Sequence, residues 1–280
     1  MARKKRDEFY ITDLWPMKPL RIDNGLRSVH AWHKWLREHP GYMHAEGTMI
    51  YVGPQGSGKT LSAVRYLLAL MEQYPKAIVC TNIELTDFPF NAHLDPEATH
   101  GWAYNKGVEP EDNRPIVEYV GLDCLKFLMN DYQGVIYLID ELHLELNSLE
   151  SRNIDINVMI EISQQRKQRK HIIGTSQEFM RLAKPLREQV RDIVLCRCLF
   201  GRMQSNRLLD GATAVETSGG HVDAVIRKKS FFWHTPAMYK AYDTYAKMKR
   251  YNELWQGREQ VDSIYNPDGK VKYNPKKKVK

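Results

Sequence analysis

The 280-residue chain lacks any run of about 18 apolar residues, so the sequence offers no membrane-spanning helix. Cysteine is scarce, four in the whole chain and none in a framework spacing. That excludes a disulfide-built scaffold and reads as reduced cytosolic thiols. The basic start, Met1 to Arg6, is not followed by an apolar stretch, so nothing resembles a signal peptide. There is no internal repeat and no collagen-like period. Extensive disorder is excluded too, because 42% of the residues are hydrophobic and only 27% charged, the balance of an ordinary globular protein.

The net charge of +7 is unevenly placed. Arg3, Lys4, Lys5 and Arg6 carry +4, and the six lysines from Lys270 to Lys280 carry +6. Neither stretch holds an acid, which leaves residues 7 to 269 at −3. Basic ends are commonly just solvated; their functional reading is an electrostatic hold on phosphate backbones or on an acidic partner. Composition does not choose between the two.

Along the chain, residues 7 to 26 read as irregular and 27 to 38 as an amphipathic helix stopped by Pro40. His30 and His33 sit three apart there, but no third ligand is near for a metal. A β-type run, Thr48 to Val52, is followed by a helix over Lys59 to Gln73 with apolar Leu61, Val64, Leu67, Leu68 and Met71. Lys76 to Cys80 reads as a buried strand. Prolines at 89, 96, 110 and 115 mark residues 84 to 115 as an insertion or long loop. Residues 116 to 120 read as a short edge strand and 122 to 130 as a short helix. Gly134 to Ile139 is nearly all apolar, as a central parallel strand requires. A helix over 154 to 170 leads into a strand at His171 to Thr175, and another strand spans Val190 to Cys198. Beyond a Gly- and Ser-rich stretch (211 to 220) come a strand near 222 to 232 and a helix near 236 to 256. Cys196 and Cys198 read as small packing residues. Strands alternating with helices predict an α/β fold with a mostly parallel central sheet flanked by helices. The expected organisation is an N-terminal segment (1–46), a nucleotide-binding core (47–200), a small C-terminal extension (201–262) and a basic tail (263–280).

Gly53-Pro54-Gln55-Gly56-Ser57-Gly58-Lys59-Thr60 fits G-x-x-x-x-G-K-[ST], between the β-type run and the long helix. Glycines let the backbone wrap closely around phosphates, and the helix start offers free N–H groups at the positive end of its dipole. Lys59 can then reach the β- and γ-phosphates of ATP, and the Thr60 hydroxyl can ligate Mg²⁺. The apolar strand ending at Ile139 is followed by Asp140 and Glu141. Two adjacent carboxylates at a strand tip are costly without a cation. A Mg²⁺–nucleotide offsets that cost, with Asp140 on the metal, directly or through water, and Glu141 as general base for an attacking water. Gln177, just past the strand at 171 to 175, is placed to sense the γ-phosphate or that water. Arg166 and Arg169 belong to a basic run at 166 to 170 that either complements a helix dipole or supplies an arginine to a neighbouring subunit. Arg187 and Arg191 are rivals for the latter role.

The order of these segments resembles a known group. The phosphate loop, Val79-Cys80-Thr81-Asn82-Ile83, the strand ending Asp140-Glu141, the basic run into His171 and the strand ending Thr175-Ser176-Gln177 resemble the zonula occludens toxin-like ATPases of phages. These lie within the wider FtsK/HerA group of DNA-pumping P-loop motors. The resemblance covers roughly residues 47 to 200, and the Tyr-rich segment Tyr239 to Tyr245 is similar to one that follows the core in that group. It implies a P-loop NTPase core in which Lys59 and Thr60 bind phosphate and Mg²⁺, Asp140 and Glu141 form the Walker B pair, and Gln177 is the sensor. It also implies a homo-oligomeric ring, hexamer or pentamer, threading DNA. Unlike the filamentous-phage members, this sequence has no membrane segment after the core. The expectation is therefore an ATP-hydrolysing DNA translocase for viral genome packaging or morphogenesis, in the host cytoplasm or docked on a capsid portal or vertex. Competing expectations are a DNA-mobilising ATPase or helicase of a plasmid or integrative element, and a nucleotide-switched nucleic-acid-binding protein with little turnover. Glu141 argues against the last, since a switch needs no efficient base.

Overall fold

The computed structural model describes residues 22–44, 46–108, 114–149, 154–217 and 222–243. The basic stretches at both ends of the chain and residues 244–256, which include the end of the Tyr-rich segment, lie outside them; the helix expected over 236–256 ends at Lys240, after which Tyr242 forms an isolated bridge with Leu85. Two compact units divide between Tyr42 and Met43. The first contains helix α1 (Ile22–Glu38), which begins five residues before the expected start. From Arg27 to Lys34 every residue is exposed. Trp32 stacks on Trp35 at 5.2 Å between ring centroids, and Trp35 on His39 at 4.1 Å. No helix of the described residues is long and apolar enough to cross a membrane.

The second unit is an α/β sandwich. Its elements run β1 (Thr48–Val52), α2 (Lys59–Gln73), β2 (Ile78–Thr81), β3 (Ala92–Leu94), β4 (Trp102–Tyr104), β5 (Ile116–Glu118), α3 (Asp123–Phe127), β6 (Val135–Ile139), α4 (Ile156–Gln164), β7 (Lys170–Ser176), α5 (Lys184–Arg187), β8 (Val190–Leu199), β9 (Met203–Asp210), β10 (Val215–Glu216), β11 (Val222–Asp223), β12 (Ile226–Trp233) and α6 (Pro236–Lys240). Ten strands form one sheet in the order β12-β9-β8-β1-β7-β6-β2-β5-β3-β4. From β8 to β3 all neighbours are parallel, whereas β9, β12 and β4 join antiparallel. Strands β1, β2 and β6 are buried along their whole length. Burial on both faces requires such uninterrupted apolar runs. On one face Leu61, Val64, Leu67 and Met71 of α2 meet Met49, Val79, Ile136 and Ile173. On the other, α3, α4 and α5 place Leu125, Val158, Ile162 and Leu186 on Ile50, Val135, Tyr137 and Ile172.

The structure corrects several expectations. The stretch from 84 to 115 is not only loop: β3 and β4 extend the sheet, so β5 is an interior strand rather than its edge. Three-residue strands between prolines and glycines carry too few positions to show a period. The expected helix to 170 stops at Gln164. Arg166 and Arg169 follow it in a turn, Arg169 at φ 58°, so they do not sit in the last helical turn. Lys170 opens β7 and is buried, 1% exposed, its Nζ 2.9 Å from Glu161 Oε2 and 2.7 Å from the Leu125 carbonyl. A buried ammonium needs such partners. Strand β9 was not expected at all. It and β12 place residues 203–210 and 226–233 in the same sheet as β1, while β10 and β11 pair with each other in a separate two-stranded sheet.

His171 gives this fold a pH dependence. Its ring is buried beside the amino end of β1, with Nδ1–H donated to the Gly47 carbonyl at 2.7 Å. Burial, aided by the Arg191 charge, pushes its pKa down to about 4, against about 6.5 for an exposed imidazole. Between those values the unfolded chain binds a proton that the folded chain refuses, so stability rises with pH there. Lowering the pH from 7 to 4 is expected to cost about 3 kcal/mol through this group. Urea unfolding across that range, compared with His171→Gln, checks it: the substitution flattens this part of the profile.

Candidate nucleotide site

The phosphate loop leaves the carboxyl end of β1 and turns into α2. Gly56 and Gly58 hold φ of 76° and 78°, conformations that other residues adopt only at a cost. A Cβ on Gly56 would meet nothing within 4 Å, so the crown of the loop is open. A Cβ on Gly58 would stand 2.1 Å from Gln204 Oε1, so there the chain is filled from beneath. The first turn of α2 contains no acid, which leaves the positive end of its dipole uncompensated by the helix itself. The Ser57 hydroxyl is buried and has no hydrogen-bond partner among the described residues. Lys59 Nζ folds back over the loop onto the Pro54 carbonyl at 2.9 Å. Burial lowers its pKa, while Asp140 and Glu141 oppose that shift. Open donors, a cation and an orphaned hydroxyl around one turn form a cradle for an anion such as a nucleotide's phosphates.

Strand β7 lies between β1 and β6 and joins the loop to the acids. Asp140 Oδ1 accepts from Thr60 Oγ1 at 2.9 Å and from Thr175 Oγ1 at 2.7 Å. The Thr175 hydroxyl also accepts from the Glu141 N–H at 2.9 Å. From the other side the Asn82 amide grips the backbone of Asp140, accepting from its N–H at 2.8 Å and donating to its carbonyl at 3.0 Å. Between these holds Glu141 adopts φ 54°, ψ 44°. A left-handed conformation in a residue with a side chain costs of order 1 kcal/mol and persists only where the surroundings impose it. The adjoining oxygens of Thr60 and Asp140 are the hard donor pair that suits Mg²⁺.

A cleft of about 890 Å³ opens beside the loop. Gly53 to Ser57 form one wall, Gln177 to Phe179 a second, and Leu195 to Cys198 with Ser205 and Arg207 a third. Pro54, Gln55 and Gln177 therefore face the same space, and Gln177 Oε1 accepts from Arg181 at 3.2 Å. The four arginines named from sequence are not brought to this chain's own loop. Arg166 and Arg169 precede β7 and Arg191 is the second residue of β8, at the amino edge of the sheet, a strand length of roughly 20 Å from the loop. Arg191 donates to the Glu46 carbonyl at 2.9 Å, and Arg187, three residues before β8, contacts the Met180 sulfur.

Three positions acquire a place here that sequence reasoning did not assign. Asn82 and Thr175 had a signal, since both fall at the ends of apolar strands on the carboxyl edge. Gln204 had none. It is fully buried on β9, where its Nε2 donates to the Ser57 carbonyl at 2.9 Å and to Asn206 Oδ1 at 2.8 Å. Its Oε1 accepts from His234 Nε2–H at 3.0 Å, and His234 Nδ1 in turn accepts from the Tyr239 hydroxyl at 2.7 Å. The underside of the loop is thus tied to the segment that joins β12 to α6.

No protein-family model matches this sequence, and no curated protein does. Among solved structures, the N-terminal domain of zonular occludens toxin from Neisseria meningitidis is similar at 15% identity and a TM-score of 0.45, over 70% of this chain and 98% of that one. The genome packaging NTPase B204 from Sulfolobus turreted icosahedral virus 2, solved with ATP-gammaS, is similar at 12% identity and a TM-score of 0.41, over 65% and 96%. The ATPase domain of G40P is similar at 14% identity and a TM-score of 0.38, over 73% and 94%. Nothing about activity follows from likeness at this level. The strand, phosphate loop and helix, with the acidic strand one place beyond β7, are the α/β arrangement of P-loop NTPases.

Gly58→Ala is expected to weaken nucleotide binding by at least tenfold, about 1.4 kcal/mol, because the new methyl group must push Gln204 off three hydrogen bonds. Gly58→Ala with Gln204→Ala should recover part of that loss, leaving the strain of φ 78°. Titration of a fluorescent ATP analogue against the two single variants and the double variant measures the coupling.

Proposed function

We propose that this chain is an ATP-hydrolysing DNA translocase of the viral genome-packaging or morphogenesis kind, working as a homo-oligomeric ring. The observation that carries the reading is the juncture of Thr60, Asp140, Thr175 and Glu141 beside an open phosphate loop. The loop N–H groups and Lys59 hold the β- and γ-phosphates. Thr60 and Asp140 hold Mg²⁺, which when bound neutralises charge on those phosphates. Glu141 accepts the proton of the water that attacks the γ-phosphorus; the bond to the β–γ bridging oxygen breaks, and ADP and phosphate leave. Gln177, on the wall of the same cleft, orients that water or reads the presence of the γ-phosphate. An arginine from the neighbouring subunit, with Arg166, Arg169, Arg187 and Arg191 as the candidates, completes the charge stabilisation. DNA, gripped in the ring and by the basic ends of the chain, is the load, and a capsid portal or vertex is the proposed docking partner.

The discriminating experiment is steady-state ATPase activity with and without single- and double-stranded DNA. Turnover should be stimulated by DNA. Glu141→Gln should retain ATP binding and lose at least about a hundredfold in turnover, the usual worth of a general base. Lys59→Ala should lose both. ATP binding with no turnover, whichever DNA is added, would replace the motor with a nucleotide-switched binding protein.

A further inference from the structure

Strands β8 and β9 form a hairpin that outgrows the sheet. Val52, the last residue of β1, is paired with Leu195, and β8 continues four residues further to Leu199. The arm therefore projects roughly 13 Å past the carboxyl edge, on the side of the phosphate loop. Strand β12 accompanies it to the tip, Trp233 opposite Met203.

The two faces of this arm are treated differently. On one, Phe232 lies under the Arg65 guanidinium at 4.3 Å and packs into the core shared with α2. The registers put Arg197, Ser205 and Phe231 in one row on the other face, Leu195, Arg207 and Lys229 in a second, and Leu199, Met203 and Trp233 in a third. That face of the three strands carries no acid. Asp192 and Asp210 point to the opposite side, where both bind Arg227 at 2.8 Å. Arg197 and Arg207, which also line the cleft beside the phosphate loop across from Glu178, and Lys229, which lies outside that lining, are exposed and make no ion pair among the described residues. Phe231 and Trp233 are 61% and 63% exposed. At the tip Phe200 is 91% exposed and held at φ 51°, a conformation that favours Gly or Asn in a tight turn. A bulky aromatic kept in a strained, solvent-facing position gains nothing for folding.

We propose that this face of the β8–β9–β12 arm binds single-stranded nucleic acid. Unpaired cations on a face without acids fit a polyanion. Phe231 and Trp233 stand two residues apart on one strand, roughly 7 Å, and offer successive flat surfaces to unstacked bases. Bases inside a duplex keep their faces covered, so the platform selects single strands. The biological use of such a site rests on the nucleic-acid motor proposed above; the binding itself needs no turnover.

The test is fluorescence anisotropy of labelled oligothymidylate, oligouridylate and a duplex of equal length against the full chain without ATP. Single strands should bind more tightly than duplex. Phe231→Ala with Trp233→Ala should lower single-strand affinity at least about tenfold, while Trp233→Phe retains it. Arg207→Ser should reduce the slope of log affinity against log salt by about 0.7. Phe200→Asn should weaken binding without lowering the melting temperature, a combination that a purely structural role does not produce. Basal ATPase of the Phe231→Ala, Trp233→Ala variant, measured without nucleic acid, should equal the parent's. If the parent binds, the variants lose binding and the protein proves to have no turnover, the motor is sunk and this site stands. Parent-like affinity in all the variants would overturn the site whether or not ATP is hydrolysed. So would a change in oligomer mass at unchanged affinity, which would assign the face to a second copy of the chain.

Discussion

One carboxylate oxygen organises this molecule. Asp140 Oδ1 takes hydrogen bonds from hydroxyls on two different elements, Thr60 at the start of α2 and Thr175 at the end of β7. Charge-assisted bonds of this kind are about twice as strong as neutral ones. They hold the phosphate-loop helix, the strand beside it and the acidic strand in one register. Thr175 then passes the constraint on through the Glu141 N–H, while Asn82 fixes the Asp140 peptide from β2. The left-handed backbone of Glu141 is the visible result. A residue pinned in this way has its backbone fixed by the scaffold, and such preorganisation suits the general-base role proposed for Glu141.

The phosphate loop is held from a second direction, through a chain that runs from the exposed Tyr239 to the buried His234 and Gln204 and on to the Ser57 carbonyl. Every polar atom of Gln204 is used, so the network is stiff. Through it the loop feels the strands added at 203 to 233. The same strands carry the exposed basic and aromatic face, whose Arg197, Ser205 and Arg207 also line the cleft beside the loop, so the antiparallel end of the sheet braces the loop from one side and borders its cleft with the other.

Much of the parallel core was legible in the sequence. The bounds expected for β1 and α2 agree with those observed, and Gly134 to Ile139 holds β6, because an apolar run bounded by glycine or acids has few other structures open to it. The acids at 140 and 141 and the loop at 53 to 60 were legible as motifs because few residue types fit that spacing between a strand and a helix, and the structure brings the two together through Thr60 and Asp140. The hairpin arm was not. Met203 to Asp210 is a polar strand, with Gln204 and Asn206 turned inward for hydrogen bonding, and no hydrophobic period marks such a segment. The turn at 165 to 169 was hidden for a related reason. A basic run suggests an exposed helix end, and nothing in the string distinguishes Lys170, which is buried against Glu161, from Lys167, which faces water.

What the sequence by itself determined is what short-range chemistry dictates: a glycine-rich loop between a strand and a helix, an apolar strand ending in two acids, and the α/β alternation. What only the tertiary structure decided is which of these meet. The position of β7 between β1 and β6, the two threonine hydroxyls on one Asp140 oxygen, the Asn82 grip and the Gln204 brace each join residues far apart in the chain. Strand order is a choice among packings of similar local strands, settled by burying both faces of one sheet, and no local pattern encodes it.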